Sequence, residues 1–226
     1  MLTSFIMKIM TWNIHKNPDV WNYINEEIKP DICFLQEYHK NADFERPKNM
    51  KIIHNTVTKK PGYWDTVVAA KNCDLKEIEF NKYPGRVQVG KVTFQNKKKI
   101  LVINIHSQTT RWNSYVTWTN KLLDKLDHII SKNKANLVIG GDLNMGICFD
   151  GEGCTHNRDL IERLESYGLT MYPRKETVTY RHMWNLKKLF PDDYLFISKR
   201  WKGRCKVLKN IKISDHYPVV VTLRTR

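Results

Sequence analysis

The apolar run Leu137-Val138-Ile139 opens directly onto Gly140-Gly141-Asp142-Leu143-Asn144, so a buried strand delivers a carboxylate and an amide where it surfaces. The same pattern recurs in Trp12-Asn13, Leu35-Gln36-Glu37, Asn104-Ile105-His106, Asp193-Tyr194 and Ser214-Asp215-His216. Some of these apolar runs end at a polar residue and two others begin at one. In an antiparallel sheet the end of one strand lies beside the start of its neighbour, so all six segments can meet along one edge. Carboxylates, amides and imidazoles gathered there are the groups that bind a hard divalent cation and a phosphate.

The remaining pattern sets an architecture around that edge. Residues 6–12 read as a strand, and Asn17-Pro18 reads as a helix cap with a first-turn proline. Val20, Ile24 and Ile28 then recur every fourth residue, so a helix lays one stripe on a sheet and ends near Pro30. Residues 32–35 form a buried strand with no polar face. Segments 51–57, 66–71, 75–80 and 86–94 read as antiparallel strands, with Gly90 marking a bulge. A turn at 95–98 leads into a strand over 100–105. A long helix spans about 114–131, with Leu122, Leu126, Ile129 and Ile130 inward, and a second helix covers 158–167, closed by Gly168. Strands over 177–180, 193–198, 204–211 and 218–223 complete the set. Two long helices, one short helix and about ten strands imply an α/β fold of two stacked sheets with helices outside.

At 226 residues with 41% hydrophobic content, the chain suits one domain over 1–226 with a substantial core. No apolar stretch approaches the roughly 20 residues needed to span a bilayer. The start, Met1-Leu2-Thr3-Ser4-Phe5-Ile6, lacks the layout of a signal peptide, so a soluble, cytoplasmic monomer is expected. Cys33, Cys73, Cys148, Cys154 and Cys205 are odd in number and scattered, which suits reduced thiols. Cys148, Cys154 and His156 cluster after Asn144, but without paired CxxC spacing they read as loop residues and not as a zinc site. Lys and Arg number 38 against 23 Asp and Glu, a formal charge of +15, which favours a polyanionic partner through counterion release. Arg111-Trp112, Lys187-Lys188 and Lys199-Arg200-Trp201-Lys202 set cations beside aromatics, the combination that holds a nucleic-acid backbone and stacks its bases.

From residue 8 to about 223, the order and content of the six segments resemble the endonuclease/exonuclease/phosphatase superfamily. Its members include DNase I-like nucleases, abasic-site endonucleases, neutral sphingomyelinases and inositol-polyphosphate phosphatases. The resemblance implies a four-layer α/β/β/α sandwich of two mainly antiparallel sheets. It implies that Glu37, in the family's Leu-Gln-Glu segment, holds magnesium, or manganese in its place, with Asn13 and Asp215 helping at the metal. It assigns Asp142 to activating the attacking water, and Asn144 to holding a phosphate oxygen or fixing that carboxylate. Asp193, ahead of Tyr194-Leu195-Phe196, would orient a catalytic histidine or hold the nucleophile's network, while Asp192 reads as a solvated neighbour. His216, in Ser-Asp-His-x-Pro, would contact the scissile phosphate.

His106 stands where DNase I-like, sphingomyelinase-like and phosphatase members carry a histidine and abasic-site enzymes a tyrosine. It could therefore protonate a leaving oxygen. Its usual acidic partner has no clear equivalent, Asp65 being the candidate. The reading is a magnesium-dependent phosphodiesterase acting on nucleic acid, DNA foremost. Its rivals are a phosphatase or lipid phosphodiesterase on the same scaffold, and a non-catalytic DNA-binding relative.

Overall fold

The structure is a computed structural model and describes residues 6–39, 46, 48–54, 65–110, 114–152, 154–174, 177–182 and 189–224. Fourteen strands are present among them: β1 Ile6–Asn13, β2 Ile32–Tyr38, β3 Met50–His54, β4 Asp65–Lys71, β5 Cys73–Glu77, β6 Val87–Phe94, β7 Lys99–His106, β8 Leu137–Asp142, β9 Leu169–Tyr172, β10 Tyr180–Arg181, β11 Leu189–Phe190, β12 Asp193–Ser198, β13 Lys202–Val207 and β14 Val219–Arg224. One six-stranded sheet runs β13-β14-β1-β2-β4-β3 and the other β5-β6-β7-β8-β12-β9, with β10-β11 as a separate hairpin. Each large sheet contains one parallel pair, β1 with β2 and β7 with β8, and its other ladders are antiparallel.

Those two parallel pairs explain how the six segments meet. In each pair two strand exits lie side by side, Asn13 beside Gln36 and His106 beside Asp142. An antiparallel neighbour then brings a strand start to the same edge, as Asp193 pairs with Asp142. The edge is therefore built from parallel exits as much as from antiparallel turns.

Strand period sorts the side chains into three apolar layers. Leu101, Ile103 and Ile105 face the helices α2 (Tyr115–Asn133) and α3 (His156–Ser166), packing on Leu122, Leu126, Leu160 and Leu164. Ile100 and Val102, of opposite parity, face the first sheet and meet Met7, Ile9, Ile32 and Phe34. Met10, Trp12 and Leu35 cover the far side of the first sheet under Val20, Trp21, Ile24 and Ile28. The order is helix, sheet, sheet, helix, and each fully buried aliphatic contributes roughly 1.5–3 kcal/mol of transfer free energy. Between the sheets the layer changes character along the strands. After the apolar residues, the same parity continues through Thr11, Asn13, Gln36, Asn104, His106 and Asp142, all buried.

Local details differ from the expectations. The Val20, Ile24, Ile28 stripe is a single α-turn, α1 (Val20–Asn22), followed by a π-helical segment Tyr23–Ile28, and all three residues are buried. Asn17 does not cap it; its Oδ1 accepts from the Asp19 amide at 2.9 Å in a turn just before. Gly90 makes no bulge, since its pairing with Val102 is in regular register. A Cβ there would meet Ile53 Cδ1 at 2.5 Å, so the glycine lets the sheets approach. The strand expected over 51–57 runs Met50–His54, its last three residues lying outside those described. The strands expected over 75–80 and 204–211 are Cys73–Glu77 and Lys202–Val207. The five cysteines are free, and among the described residues no helix is long and apolar enough to cross a membrane.

Candidate active site

Gly140 and Gly141 let β8 end where it does. A Cβ on Gly140 would meet Tyr194 O at 2.5 Å, and Gly141, at φ +136°, would drive one into the Ile105 carbonyl. The strand is thus pressed between its neighbours up to the point where Asp142 emerges. Behind it, Gln36 Nε2 donates across the sheets to Asn104 Oδ1 at 2.7 Å, and Asn104 Nδ2 donates to the carbonyls of Leu35 and Val67 at 3.0 and 2.8 Å. This buried amide layer joins the sheets directly beneath the site.

Asp142 is held from both sides. Oδ2 accepts from Asn13 Nδ2 at 2.9 Å, and Oδ1 accepts from the Asn144 amide at 3.2 Å and from Asn144 Nδ2 at 2.8 Å. Asn144, at φ 48°, sits in the left-handed region that asparagine tolerates. Its main-chain N–H also donates to Asp192 O at 3.2 Å. The two imidazoles face Asp142 Oδ2, His106 Nε2 at 3.6 Å and His216 Nε2 at 3.9 Å. Burial raises the Asp142 pKa above the ordinary carboxylate range; His216 opposes that shift, and Asp193 and Glu37 add to it.

His216 is turned by two contacts. Its Nδ1 lies 2.8 Å from Asp193 Oδ2, and its carbonyl accepts from Trp12 Nε1 at 3.0 Å. Burial works against its positive charge, but the carboxylates of Asp193 and Asp142 outweigh that and push its pKa up to about 10. Thr179 fixes the approach of β12, its hydroxyl accepting from the amides of Asp192 and Asp193 at 2.9 Å each.

Glu37 owes its place to an irregularity. The β2–β4 register shifts between Leu35 and Tyr38, and Glu37 adopts φ 53°, a conformation that costs a non-glycine residue about 1 kcal/mol. Its Oε1 accepts from Asn13 Nδ2 at 3.3 Å. His15 Nδ1 stands 3.5 Å from Glu37 Oε2 and 3.8 Å from Asp215 Oδ1, so the two carboxylates flank one point at the rim.

Asn13, His15, Glu37, His106, Asp142, Asn144, Asp215 and His216 line a cavity of about 900 Å³ together with Arg86, Tyr115, Asp192 and a wall of Phe149, Phe190 and Tyr180. Tyr180 lies nearly parallel to Phe190 at 6.1 Å and tilts over His216 at 4.7 Å between ring centroids. Phe149 meets Phe190 at 5.2 Å and remains exposed.

The donor chemistry suits a hard divalent cation, because carboxylate oxygens dominate, and burial followed by the neighbouring carboxylates raises the pKa of Asp142 and Asp192, a state that a cation would relieve. One group that could hold an ion is Asp142, Asp193 and His216, whose ligand atoms lie within 4.8 Å of one another. Within that group His216 Nδ1 already contacts Asp193 Oδ2 at 2.8 Å, while His216 Nε2 faces Asp142 Oδ2 at 3.9 Å. Glu37 and Asp215, beside Asn13, are the more available pair. Asp193 Oδ1 is buried with no hydrogen-bond partner among the described residues.

Several expectations are corrected. Asp192 is not solvated: it is buried, lines the cavity, and burial with Asp142 nearby raises its pKa. Asp65 is not the partner of His106; it stands 3.7 Å from His54 Nδ1. His106 faces Arg86 instead, and burial together with that guanidinium and His216 lowers its pKa. Trp201 is no stacking platform, since it is buried among Met7, Ile100 and Leu223. The cations beside it follow Ser198, the end of β12 opposite Asp193 and about 17 Å away. Arg111-Trp112 and Lys187-Lys188 lie outside the described residues. Arg86, Thr179 and the aromatic wall were missed because no local pattern marks them. Asp192 could have been found from its neighbour Asp193, and Gln36 and Asn104 from their parity with Asn13 and His106.

Residues 10–216 match the model of the Endonuclease/Exonuclease/phosphatase family, and the chain belongs to that family. No curated protein sequence matches it. Among solved structures it is similar to the endonuclease domain of TRAS1, a telomere-specific non-LTR retrotransposon, at TM-score 0.71 and 15% identity over 97% of this chain and 98% of that one. The human Nocturnin catalytic domain superposes at TM-score 0.70 and 15% identity, covering 96% and 94%. A mannosyl-6-phosphatase from Bacteroides thetaiotaomicron does so at 0.68 and 13%, covering 96% and 99%. At such identities the likeness is one of fold.

Proposed function

We propose that this chain is a divalent-metal-dependent nuclease that hydrolyses phosphodiester bonds, those of DNA foremost. The observation that carries the reading is the Asp142 carboxylate, fixed by Asn13 and Asn144 with one oxygen turned toward the imidazoles of His106 and His216. In this reading Asp142, with its raised pKa, accepts the proton of the attacking water. His216, positively charged and oriented by Asp193, donates from Nε2 to the charge that builds on the phosphate, and Asn144 holds a phosphate oxygen or the carboxylate itself. A magnesium or manganese ion held by Glu37 and Asp215, with Asn13 beside them, would supply Lewis acidity toward a phosphoryl oxygen.

Two features favour nucleic acid over an inositol polyphosphate. The Phe149, Phe190 and Tyr180 wall offers ring faces to a base next to the reacting phosphate. Among the described residues lining the cavity, Arg86 is the only Lys or Arg, whereas a substrate with several phosphates needs several cations. The test is turnover in magnesium on supercoiled plasmid, linear and abasic DNA, RNA, a sugar phosphate and inositol phosphates, with Asp142→Asn as control. Phosphate release from the small molecules with no cut nucleic acid would overturn it.

A further inference from the structure

Arg86 ends a tight turn that aims it at one imidazole. Gly85, at φ 71°, closes the turn, and its carbonyl accepts from the Thr66 amide at 3.1 Å and the Thr66 hydroxyl at 2.8 Å. The Arg86 carbonyl in turn accepts the amide of His106 at 2.8 Å, so backbone and side chain of the two residues are tied together. Arg86 Nη1 lies 3.1 Å from His106 Nδ1. A guanidinium has donors and no acceptor, so the hydrogen bond requires a lone pair on Nδ1. The ring's single proton is then on Nε2, which faces Asp142 Oδ2 at 3.6 Å inside the cavity.

We propose that Arg86 is a positioning residue that locks His106 in its Nε2–H tautomer, making it a fixed hydrogen-bond donor to the phosphate undergoing hydrolysis and not a proton source for the leaving group. An acidic partner at this place would do the opposite: it would accept a hydrogen bond from Nδ1–H and favour the imidazolium. Here a second proton on the ring would break the Arg86 bond and set two cations 3.1 Å apart. The groups facing this imidazole are Arg86 from the turn before β6, Asp142 from β8 and His216 ahead of β14. Among the described residues one carboxylate and two cations surround it, and they are divided by position: Arg86 donates to Nδ1, and Asp142 presents an acceptor oxygen to the Nε2 side. The two histidines that face Asp142 then have different tasks, His216 bearing charge and His106 a neutral N–H.

The tautomer can be read without substrate, so its outcome is independent of the nuclease reading on which the donor role rests. In 15N-labelled protein, long-range nitrogen–carbon-bound-proton correlation spectra assigned through His106→Gln should give His106 a protonated Nε2 and a bare Nδ1 near neutral pH. Arg86→Glu should move the proton to Nδ1 or add a second one, and lower kcat by roughly a hundredfold with a smaller change in KM. Arg86→Gln, whose amide can still donate to Nδ1, should keep the wild-type nitrogen pattern and be the more active of the two. A wild-type ring protonated on Nδ1, or an Arg86→Glu protein with an unchanged pattern, would overturn the proposal. An unchanged kcat in a variant whose proton has moved would overturn the donor role while leaving the tautomer assignment intact.

Discussion

Asn13 and Asp142 belong to different sheets, yet Asn13 Nδ2 donates to Asp142 Oδ2 at 2.9 Å while also reaching Glu37 Oε1 at 3.3 Å. One amide thus ties the carboxylate assigned to water activation to the carboxylate assigned to the metal, across the gap between the layers. Asn13→Ala should slow single-turnover cleavage roughly tenfold to hundredfold, since Asp142 loses an orienting donor but keeps Asn144. It should also cost about 1–3 kcal/mol in urea denaturation, because a buried acceptor is left without its partner. A wild-type cleavage rate would show that Asn144 alone orients Asp142.

Asp142 and His216 serve one phosphate in this reading. Asp142→Asn and His216→Ala should each cut the chemical step severely while DNA affinity, measured in calcium, stays near the wild-type value. The double variant should lose less than the product of the two single losses, because either change already disables the arrangement. Strictly multiplicative losses in single-turnover kinetics would mean that the residues act at separate points.

The His216–Asp193 pair carries a pH signature. The folded-state pKa of His216 is raised from 6.5 to about 10, burial opposing and the Asp193 and Asp142 carboxylates prevailing. Its contribution to stability is therefore fully present below about pH 6.5 and lost as pH rises through about 10. Thermal melts from pH 7 to 10.5 should show wild-type protein losing Tm faster than Asp193→Asn, in which the raised pKa collapses. Parallel melting curves for the two proteins would reject the assignment.

Metal dependence follows from the rim carboxylates. Chelation, or Glu37→Gln, should lower turnover by orders of magnitude. The metal-free melting temperature of Glu37→Gln should match or exceed the wild type, since one member of a crowded acid group becomes neutral and the strained Glu37 backbone is unchanged. Full cleavage in excess chelator would remove the metal from the mechanism.

Lys199, Arg200 and Lys202 supply a negative control. They sit at the far ends of β12 and β13, away from Asp193. Their joint replacement by Gln should leave the salt dependence of DNA binding by the Asp142→Asn protein unchanged, because groups that touch no phosphate release no counterions. A flatter slope would require the DNA to reach round to this pole.

The sequence by itself determined most of the strands and which of their side chains share a face, but not β9 or β11, and the strand expected over 177–180 is Tyr180–Arg181. Apolar alternation is a property of neighbouring residues, so it placed Asn13, Glu37, His106, Asp142, Asp193 and His216 at strand ends and left the layered α/β/β/α fold readable. Gly140 and Gly141 before Asp142 were legible as a pair, though their cause, the Tyr194 and Ile105 carbonyls, was not. Tertiary structure decided everything that depends on partners distant in the chain: the parallel pairs that bring Asn13 beside Gln36 and His106 beside Asp142, the guanidinium that replaces an acid at His106, the burial of Asp192 and the interior position of Trp201. A period of two residues fixes direction within a strand, but the charge state of an imidazole depends on groups within a few ångströms, and those are chosen by how the sheets stack.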